Sequence, residues 1–331
     1  MEEKSHRLQT DDTGSRLAII PEGVSEIDNE LPVLLDTDLP LPLFARGKAR
    51  DVYKLGDHLL IIATDRISAF DVILPCGIPN KGRVLNQISA FWFEKTAPLM
   101  PNHLVEVVYD VCCLDLYLPE GSRFDYPQYL SGRSMVVRKA ERISVECVVR
   151  GYISGSAWEE YHNQGTVSGM NMPPGLLESQ ELPELLFTPT TKADEGHDLA
   201  MSTAEVNDMI GSSLSKVVKE KSLTIYNFAR KYAEDHGFFI ADTKFEFGLE
   251  DGNLILIDEV LTPDSSRFWD KGLYKVGRPQ DSFDKQPIRD WLTRSGWNKE
   301  PPGPMLPSEV IEQTSRRYQE AYERLTEKKL G

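Results

Sequence analysis

The sequence predicts an α+β fold, in which β-strands dominate the first part of the chain and helices follow. Apolar segments typical of strands occur at 44–74, 104–109 and 135–149, and segments with helical periodicity come after them. A chain of 331 residues is expected to form about two domains. Residues 1–40 are acidic and carry no sustained period, so we expect them to form a partly ordered leader.

The overall charge limits the classes of partner. The chain contains 37 basic and 52 acidic residues, which gives a formal net charge of −15, and 40% of its residues are hydrophobic. A chain this acidic is poorly suited to coating nucleic acid or an anionic membrane. We therefore expect no nucleic-acid or membrane partner, and any phosphate-binding site must be a local group of basic residues.

The cysteines and the start of the chain bear on localisation. Cys76, Cys112, Cys113 and Cys147 show no Cys-x-x-Cys spacing, which argues against a zinc site and a disulfide framework. The first residues are too polar for a secretory signal, and no run of about 18 apolar residues occurs. These observations predict a reduced, cytoplasmic protein.

The first strand segment contains two turns. Gly56-Asp57 separates two apolar runs and predicts a tight hairpin. Upstream, Gly47 is followed by Lys48 and Arg50, and such a turn is able to present backbone N–H groups and cations to phosphate oxygens. An ordinary exposed turn is the alternative interpretation.

The helices follow from apolar periodicity and capping signals. A capping box at Ser202–Glu205 predicts a helix to about residue 220, and His236-Gly237 is a signal for the end of a second helix that begins near 223. The helices are predicted at about 83–96, 157–161, 202–220, 223–235, 287–295 and 308–328. We expect the last of these to dock on the second domain.

The central element is a predicted β-hairpin over Ile240–Phe268, in which two apolar runs flank the turn sequence Glu-Asp-Gly-Asn. Because side chains alternate along a strand, Asp242, Lys244 and Glu246 share one face of the first strand. We expect that face to be exposed to solvent. Asp258 ends the second strand, and Glu246 with Asp258 would suit Mg²⁺, which usually takes one or two carboxylates plus phosphate oxygens.

The register of this hairpin decides whether the two carboxylates meet. A four-residue loop at 250–253 pairs Glu246 with Ile257 and leaves Asp258 opposite Phe245, on the other face. A three-residue loop at 251–253 pairs Glu246 with Asp258. A metal site therefore requires the three-residue loop, a bulge, or an Asp258 that lies beyond the regular ladder. The alternative is a solvated strand face with a Lys–Glu pair.

Several motifs together resemble one family. They are Asp242-Thr-Lys-Phe-Glu-Phe-Gly with Asp258-Glu and Pro263-Asp-Ser-Ser-Arg, Gly47-Lys-Ala-Arg-Asp-Val-Tyr, Asp65-Arg-Ile-Ser-Ala-Phe-Asp and Val145-Glu-Cys-Val-Val-Arg. These motifs closely resemble the signatures of the SAICAR synthetase (phosphoribosylaminoimidazole-succinocarboxamide synthase) family, and they follow one another along the chain in the family's order. The resemblance covers about 44–269.

The resemblance implies a two-lobed fold with an ATP cleft between the lobes: after the leader, an antiparallel-sheet lobe at 41–143 and an α/β lobe at 144–331. It implies nucleotide-binding residues Gly47, Lys48, Ala49, Arg50, Lys139 and Glu146. It also implies catalytic residues Lys244 and Asp242, metal ligands Glu246 and Asp258, and substrate-binding residues Asp71, Arg150, Ser156, Lys192, Asp198 and Arg267, whereas His197 could simply cap a turn.

The implied reaction joins carboxyaminoimidazole ribonucleotide (CAIR) to L-aspartate while ATP becomes ADP and phosphate, with Mg²⁺ as the metal. Aspartate as a substrate follows from the resemblance alone, and the sequence predicts no oligomeric state. Two other classes remain open at this point: a different ATP-dependent phosphotransferase, which should lack the Arg150, Ser156 and Arg267 set, and an inactive nucleotide-binding module, which should lose a metal carboxylate or Lys48.

Overall fold

The structure is a computed structural model that describes residues 8–10, 14–18, 32–191 and 199–330. The chain divides into two compact units. Unit 1 comprises the described residues up to Ala90, Leu104–Lys139, and those from Asp284 onward. Unit 2 comprises Phe91–His103 and Ala140–Phe283. The predicted lobe boundaries at 143 and 144 remain a prediction of the sequence.

The first ten strands belong to unit 1 and form three antiparallel sheets, in the orders β1-β2-β3, β4-β5-β6-β10-β9 and β7-β8. Helix α1 lies between β8 and β9 and crosses the division between the units. The elements are β1 (Leu8–Thr10), β2 (Arg16–Ala18), β3 (Val33–Leu34), β4 (Leu43–Arg46), β5 (Arg50–Leu55), β6 (His58–Ala63), β7 (Arg66–Ala69), β8 (Val72–Gly77), α1 (Lys81–Thr96), β9 (Leu104–Val107) and β10 (Ser134–Arg138).

Tight turns build the sheets of unit 1. Leu55 pairs with His58 across Gly56-Asp57, so the hairpin predicted there is confirmed. The β7-β8 hairpin turns at Phe70 and Asp71, both of which have positive φ, as a two-residue turn with a right-handed strand twist requires. Apolar side chains from one face of the five-stranded sheet, namely Tyr53, Leu60, Ile62 and Val136, pack in one core cluster with Leu34 of β3.

Unit 2 is organised around one antiparallel sheet with the path β11-β17-β12-β15, to which β16, β18 and β19 add. A small β13-β14 ribbon accompanies it. The elements are β11 (Glu141–Arg142), β12 (Val145–Tyr152), α2 (Ser156–Gln164), β13 (Thr166–Val167), β14 (Met170–Asn171), β15 (Glu181–Phe187), β16 (Thr190–Thr191), α3 (Thr203–Ile210), α4 (Ser212–Asp235), β17 (Phe238–Glu250), β18 (Asn253–Ile257) and β19 (Ser266–Asp270).

The helices that precede β17 break at a different place from the one predicted. The capping box of Ser202 and Glu205 is present, but α3 ends at Ile210 because Gly211 adopts φ 82° and ψ 145°. Helix α4 then continues without interruption to Asp235. It packs on β17 and β12, where the Tyr226 hydroxyl donates to Ile240 O at 2.5 Å.

The last two helices, α5 (Gln286–Arg294) and α6 (Ser308–Thr326), belong to unit 1. From the sequence we expected α6 to dock on the second domain. In the structure Ser315 of α6 donates to Pro79 O at 2.7 Å, and the buried Lys81 lies over the Tyr318 ring. Amphipathic periodicity predicted the helix but contained no information about which unit receives its apolar face.

Within the described part of the chain, no helix combines the length and apolar character needed to cross a membrane.

Candidate active site

The functional residues of unit 2 lie on one face of two neighbouring strands. Val148 pairs with Lys244 and Arg150 pairs with Asp242, so these side chains share a face. The same register places Glu146 opposite Glu246. The sequence predicted the alternation within β17, and the structure adds that the charged side chains of β12 lie beside those of β17 on the same face.

Lys244 lies among carboxylates at one end of this face. Its Nζ is 2.5 Å from Glu146 Oε1 and 3.7 Å from Glu246 Oε1. Burial alone would lower the pKa of Lys244, but Glu146, Glu246 and Asp258 outweigh burial and raise it. Lys244 is therefore a fixed cation at neutral pH.

The hairpin register follows the first of the predicted alternatives. Glu246 pairs with Ile257, and Glu250 pairs with Asn253 around Asp251-Gly252. Asp258 lies just past the end of β18 and has φ 68°, a conformation that few non-glycine residues adopt. Asp258 makes a small contribution to the raised pKa of Lys244, although a continued ladder would have put its side chain on the opposite face.

The predicted solvent exposure of this charged face is wrong at Glu246. Glu246 is 3% exposed and Glu146 is 4% exposed. Lys244 on the same face lies 3.7 Å from Glu246 Oε1 and shields part of this carboxylate from water.

Two arginines and one aspartate occupy the other end of the face. Asp242 Oδ2 lies 3.1 Å from Arg150 Nη1 and 3.0 Å from Arg267 Nη1. Burial lowers the pKa of Arg150, Asp242 counteracts this, and the neighbouring Arg267 cation lowers it further. An arginine nevertheless stays charged, so the pair supplies two cations that Asp242 only partly neutralises.

The N-terminus of α2 meets this arginine pair. Arg267 Nη1 donates to Ser154 Oγ at 2.6 Å. A Cβ on Gly155, which has φ 56°, would lie 2.8 Å from Arg267 Nη2. Only glycine therefore lets the guanidinium lie against the start of the helix. Ser156 is the first residue of α2 and is exposed, so helix N–H groups and two guanidinium groups converge there.

The predicted phosphate turn lies in unit 1, between β4 and β5. Gly47 N–H donates to Arg50 O at 2.8 Å, which closes the turn. Lys48 Nζ lies 2.8 Å from Asp71 Oδ1, and both side chains are more than half exposed. The structure thus brings a predicted nucleotide ligand and a predicted substrate ligand together in a surface ion pair, which is easily rearranged by a bound anion.

The remaining predicted residues are less informative. Lys139 Nζ donates to Gly56 O at 2.8 Å within unit 1. Glu146, predicted to bind nucleotide, contacts Lys244 and accepts a long hydrogen bond from Thr190 at 3.4 Å. Lys192, His197 and Asp198 lie outside the described residues. Among the residues that are described, no three His, Cys, Asp or Glu side chains form a metal-binding group.

The sequence did not predict two residues that hold the site arginines in place. Ser154 is a direct partner of Arg267, although it lies two residues from the predicted Ser156. Thr188 accepts from Arg150 Nε at 3.1 Å. Ser154 could have been inferred from its place in the same small-residue loop, whereas no local signal connects Thr188 to Arg150.

Comparisons with known proteins identify the family of this chain. Residues 43–304 match the family model described as SAICAR synthetase. A phosphoribosylaminoimidazole-succinocarboxamide synthase from Thermodesulfovibrio yellowstonii is 50% identical, with 89% of this chain and 99% of that protein covered. The same enzyme from Syntrophobacter fumaroxidans is 51% identical, with 89% and 96% covered.

A solved structure is also similar. The SAICAR synthase of Saccharomyces cerevisiae, in complex with SAICAR, has a TM-score of 0.81 and 46% identity, with 89% of this chain and 97% of that chain covered. The fold, the lysine–carboxylate group and these relatives define an ATP-dependent carbon–nitrogen ligase. More particularly, the chain belongs to the SAICAR synthetase family. It joins CAIR to L-aspartate in purine biosynthesis, a reaction that neither alternative class performs.

Proposed function

We propose that this ligation proceeds through an acyl phosphate and that unit 2 carries the acceptor chemistry. The observation that supports the proposal most is the shared face of β12 and β17, where Lys244 lies two residues from the arginine-bound Asp242. One end of the face suits a phosphate monoester, and the other end suits a carboxylate that must be activated.

The ribonucleotide phosphate binds at the arginine end. Arg150 and Arg267 donate to its oxygens as planar forks, and the exposed Ser156 and the N-terminus of α2 add N–H and hydroxyl donors. Asp242, predicted as catalytic, contacts both arginines. We assign it the role of a positioning residue that holds the two guanidinium groups in place.

Mg²⁺ is the metal that this proposal requires. Glu246 and Asp258 offer hard oxygen ligands, and two carboxylates suffice when ATP phosphates complete the coordination. When bound, Mg²⁺ would neutralise charge on the transferring phosphoryl group.

ATP supplies the phosphoryl group through the turn at 47–50. Lys48 would exchange its surface contact with Asp71 for a phosphate oxygen, and Arg50 would add a second cation. Lys139 and Glu146 remain proposed nucleotide ligands, and Lys192 and Asp198 remain proposed substrate ligands. We also propose a cytoplasmic location, which the free thiols Cys76, Cys112, Cys113 and Cys147 favour.

The chemistry requires an activated carboxylate. A carboxylate resists attack by an amine because its charge is delocalised and oxide is a poor leaving group. One carboxylate oxygen of CAIR attacks the γ-phosphorus, the bond to the β,γ-bridging oxygen breaks, and ADP leaves. Lys244, a fixed cation, orients the carboxylate for this in-line approach. The aspartate amine then attacks the acyl carbon, loses a proton, and expels inorganic phosphate.

Isotope transfer tests this route. With ¹⁸O in the CAIR carboxylate, one labelled oxygen should appear in inorganic phosphate at each turnover. Phosphate that contains only oxygen from ATP or solvent would exclude the acyl phosphate. ADP release measured with each of the three substrates omitted in turn is the control that establishes the ligation itself.

A further inference from the structure

The phosphate turn in unit 1 has its carbonyl groups held on one side by two residues. Arg66 donates from Nη2 to Gly47 O at 2.8 Å and from Nε to Lys48 O at 3.2 Å. Thr64 donates both its N–H and its hydroxyl to Ala49 O, at 2.8 and 2.9 Å. Three consecutive carbonyl oxygens are thus fixed by donors from β7 and the segment just before it.

Arg66 is itself fixed by a buried network. Its Nη2 lies 2.7 Å from Asp51 Oδ1, and its Nη1 donates to Leu35 O at 2.6 Å and to Asp36 Oδ1 at 3.1 Å. Arg66 is 6% exposed and Asp51 is fully buried. The guanidinium group that donates to the turn is therefore held in place by partners elsewhere in the unit, among them the carboxylates of Asp36 and Asp51.

The directions of the carbonyls determine those of the N–H groups. In a planar trans peptide, the C=O of one residue and the N–H of the next point in opposite directions. Since the carbonyls of Gly47 and Lys48 point toward Arg66, the N–H groups of Lys48 and Ala49 point away from it. If the carbonyls faced a bound phosphate instead, their partial negative charges would repel it.

We propose that Arg66 is a positioning residue for nucleotide phosphate binding, which it promotes by holding the Gly47 and Lys48 carbonyls so that the N–H groups of Lys48 and Ala49 face the anion. Thr64 assists at the next peptide. The inference rests on the proposed role of the turn in binding ATP. It assigns a function to two residues that contact the turn and have no proposed contact with a substrate.

The test compares two ligands that differ in their phosphates. For Arg66→Lys, which keeps the charge facing Asp36 and Asp51 but loses the two-pronged donation, we expect ATP to bind on the order of tenfold more weakly. Adenosine should bind with unchanged affinity by calorimetry. An equal loss for both ligands, or no loss for ATP, would overturn the proposal, because a purely structural role has no preference for phosphates.

A second pair of variants decides the matter if Arg66→Lys fails to fold. Thr64→Val removes one donor to Ala49 O and should weaken ATP binding about threefold relative to adenosine. Thr64→Ser keeps the hydroxyl and is the matched control, which should bind both ligands as the unmodified chain does. An identical ATP-to-adenosine ratio in all three proteins would contradict the positioning role.

Failure of the underlying assignment has a different signature. In the unmodified chain, the backbone amide resonances of Lys48 and Ala49 should shift with ATP and not with adenosine. If ATP leaves these amide resonances unchanged, the turn does not bind phosphate, and the part of the proposed function that assigns ATP to this turn is wrong. If they shift but the variants keep the normal affinity ratio, only the role of Arg66 and Thr64 is wrong.

Discussion

The Nζ atom of Lys244 lies 2.5 Å from Oε1 of Glu146, on the neighbouring strand of the unit 2 sheet. Glu146 is 4% exposed, so this charge-assisted hydrogen bond is shielded from water on the carboxylate side. The contact joins a residue predicted to bind nucleotide to one predicted to act on the acceptor carboxylate. Burial is the largest influence on the pKa of Lys244 and lowers it, and among the groups that raise this pKa Glu146 contributes most.

Replacing Glu146 should lower the pKa of Lys244. Burial opposes the charged form of Lys244, and Glu146 is the largest influence that favours this form. Glu146→Gln therefore removes the main interaction that offsets the effect of burial on Lys244. Because the folded pKa of Lys244 is raised above the ordinary 10.5, protonation of Lys244 contributes stability that is fully present at neutral pH and is lost as the pH rises above 10.5 through the folded pKa.

Titration of the lysine Nζ resonances by NMR measures this effect. The Lys244 titration should move to lower pH in Glu146→Gln, whereas Glu141→Gln, an exposed change on β11, should leave it in place. An unchanged Lys244 titration in Glu146→Gln would show that Glu246 and Asp258 are sufficient.

Replacing Glu246 should reduce turnover strongly. Glu246→Gln keeps the side-chain volume and removes one proposed metal carboxylate, so we expect kcat to fall on the order of 10²- to 10³-fold. Since Glu246 is buried beside Lys244, we also expect a loss of about 1 kcal/mol in unfolding free energy. Glu250→Gln, farther along the same strand, is the matched control, and near-normal turnover by Glu246→Gln would refute the metal assignment.

Removing Arg267 should weaken ribonucleotide binding selectively. Its guanidinium contacts Ser154 and Asp242 in unit 2, so Arg267→Ala should raise the KM for CAIR and leave the KM for ATP nearly unchanged. Arg230→Ala, which breaks a surface ion pair with Glu181, controls for the loss of one positive charge. Steady-state kinetics with each substrate varied in turn provides the measurement; an equal rise in both KM values would place Arg267 on ATP.

A single methyl group at Gly151 should destabilise unit 2. A Cβ atom added at Gly151 would lie 2.2 Å from the Tyr226 hydroxyl oxygen. This hydroxyl donates a hydrogen bond to Ile240 O. We expect Gly151→Ala to lower the unfolding free energy by about 2 kcal/mol, measured by urea denaturation.

Two further variants test the cause. Gly121→Ala has no atom within 4 Å of the added Cβ and should change stability by less than about 0.5 kcal/mol. Tyr226→Phe removes the clashing oxygen, so Gly151→Ala should cost less in that background than in the unmodified chain. Equal costs in the two backgrounds would mean that the Tyr226 hydroxyl is not the obstacle.

The sequence by itself determined the features that depend on neighbouring residues. Alternation placed Asp242, Lys244 and Glu246 on one face, Gly56-Asp57 set a hairpin, and the Ser202 capping box set the start of α3. Periodicity also gave the last helix, α6. These are local properties, because side-chain periodicity and turn signals depend on residues that lie within a few positions of each other in the sequence.

Only the tertiary structure decided which charges meet. The register of β12 against β17 pairs Arg150 with Asp242 and brings Glu146 into contact with Lys244, and the two residues in each contact are more than ninety positions apart. Asp258, which lies beyond the ladder and has a positive φ, also contributes to the raised pKa of Lys244. Such contacts depend on how separate strands align, and strand alignment is set by the packing of the whole sheet, which no local pattern contains.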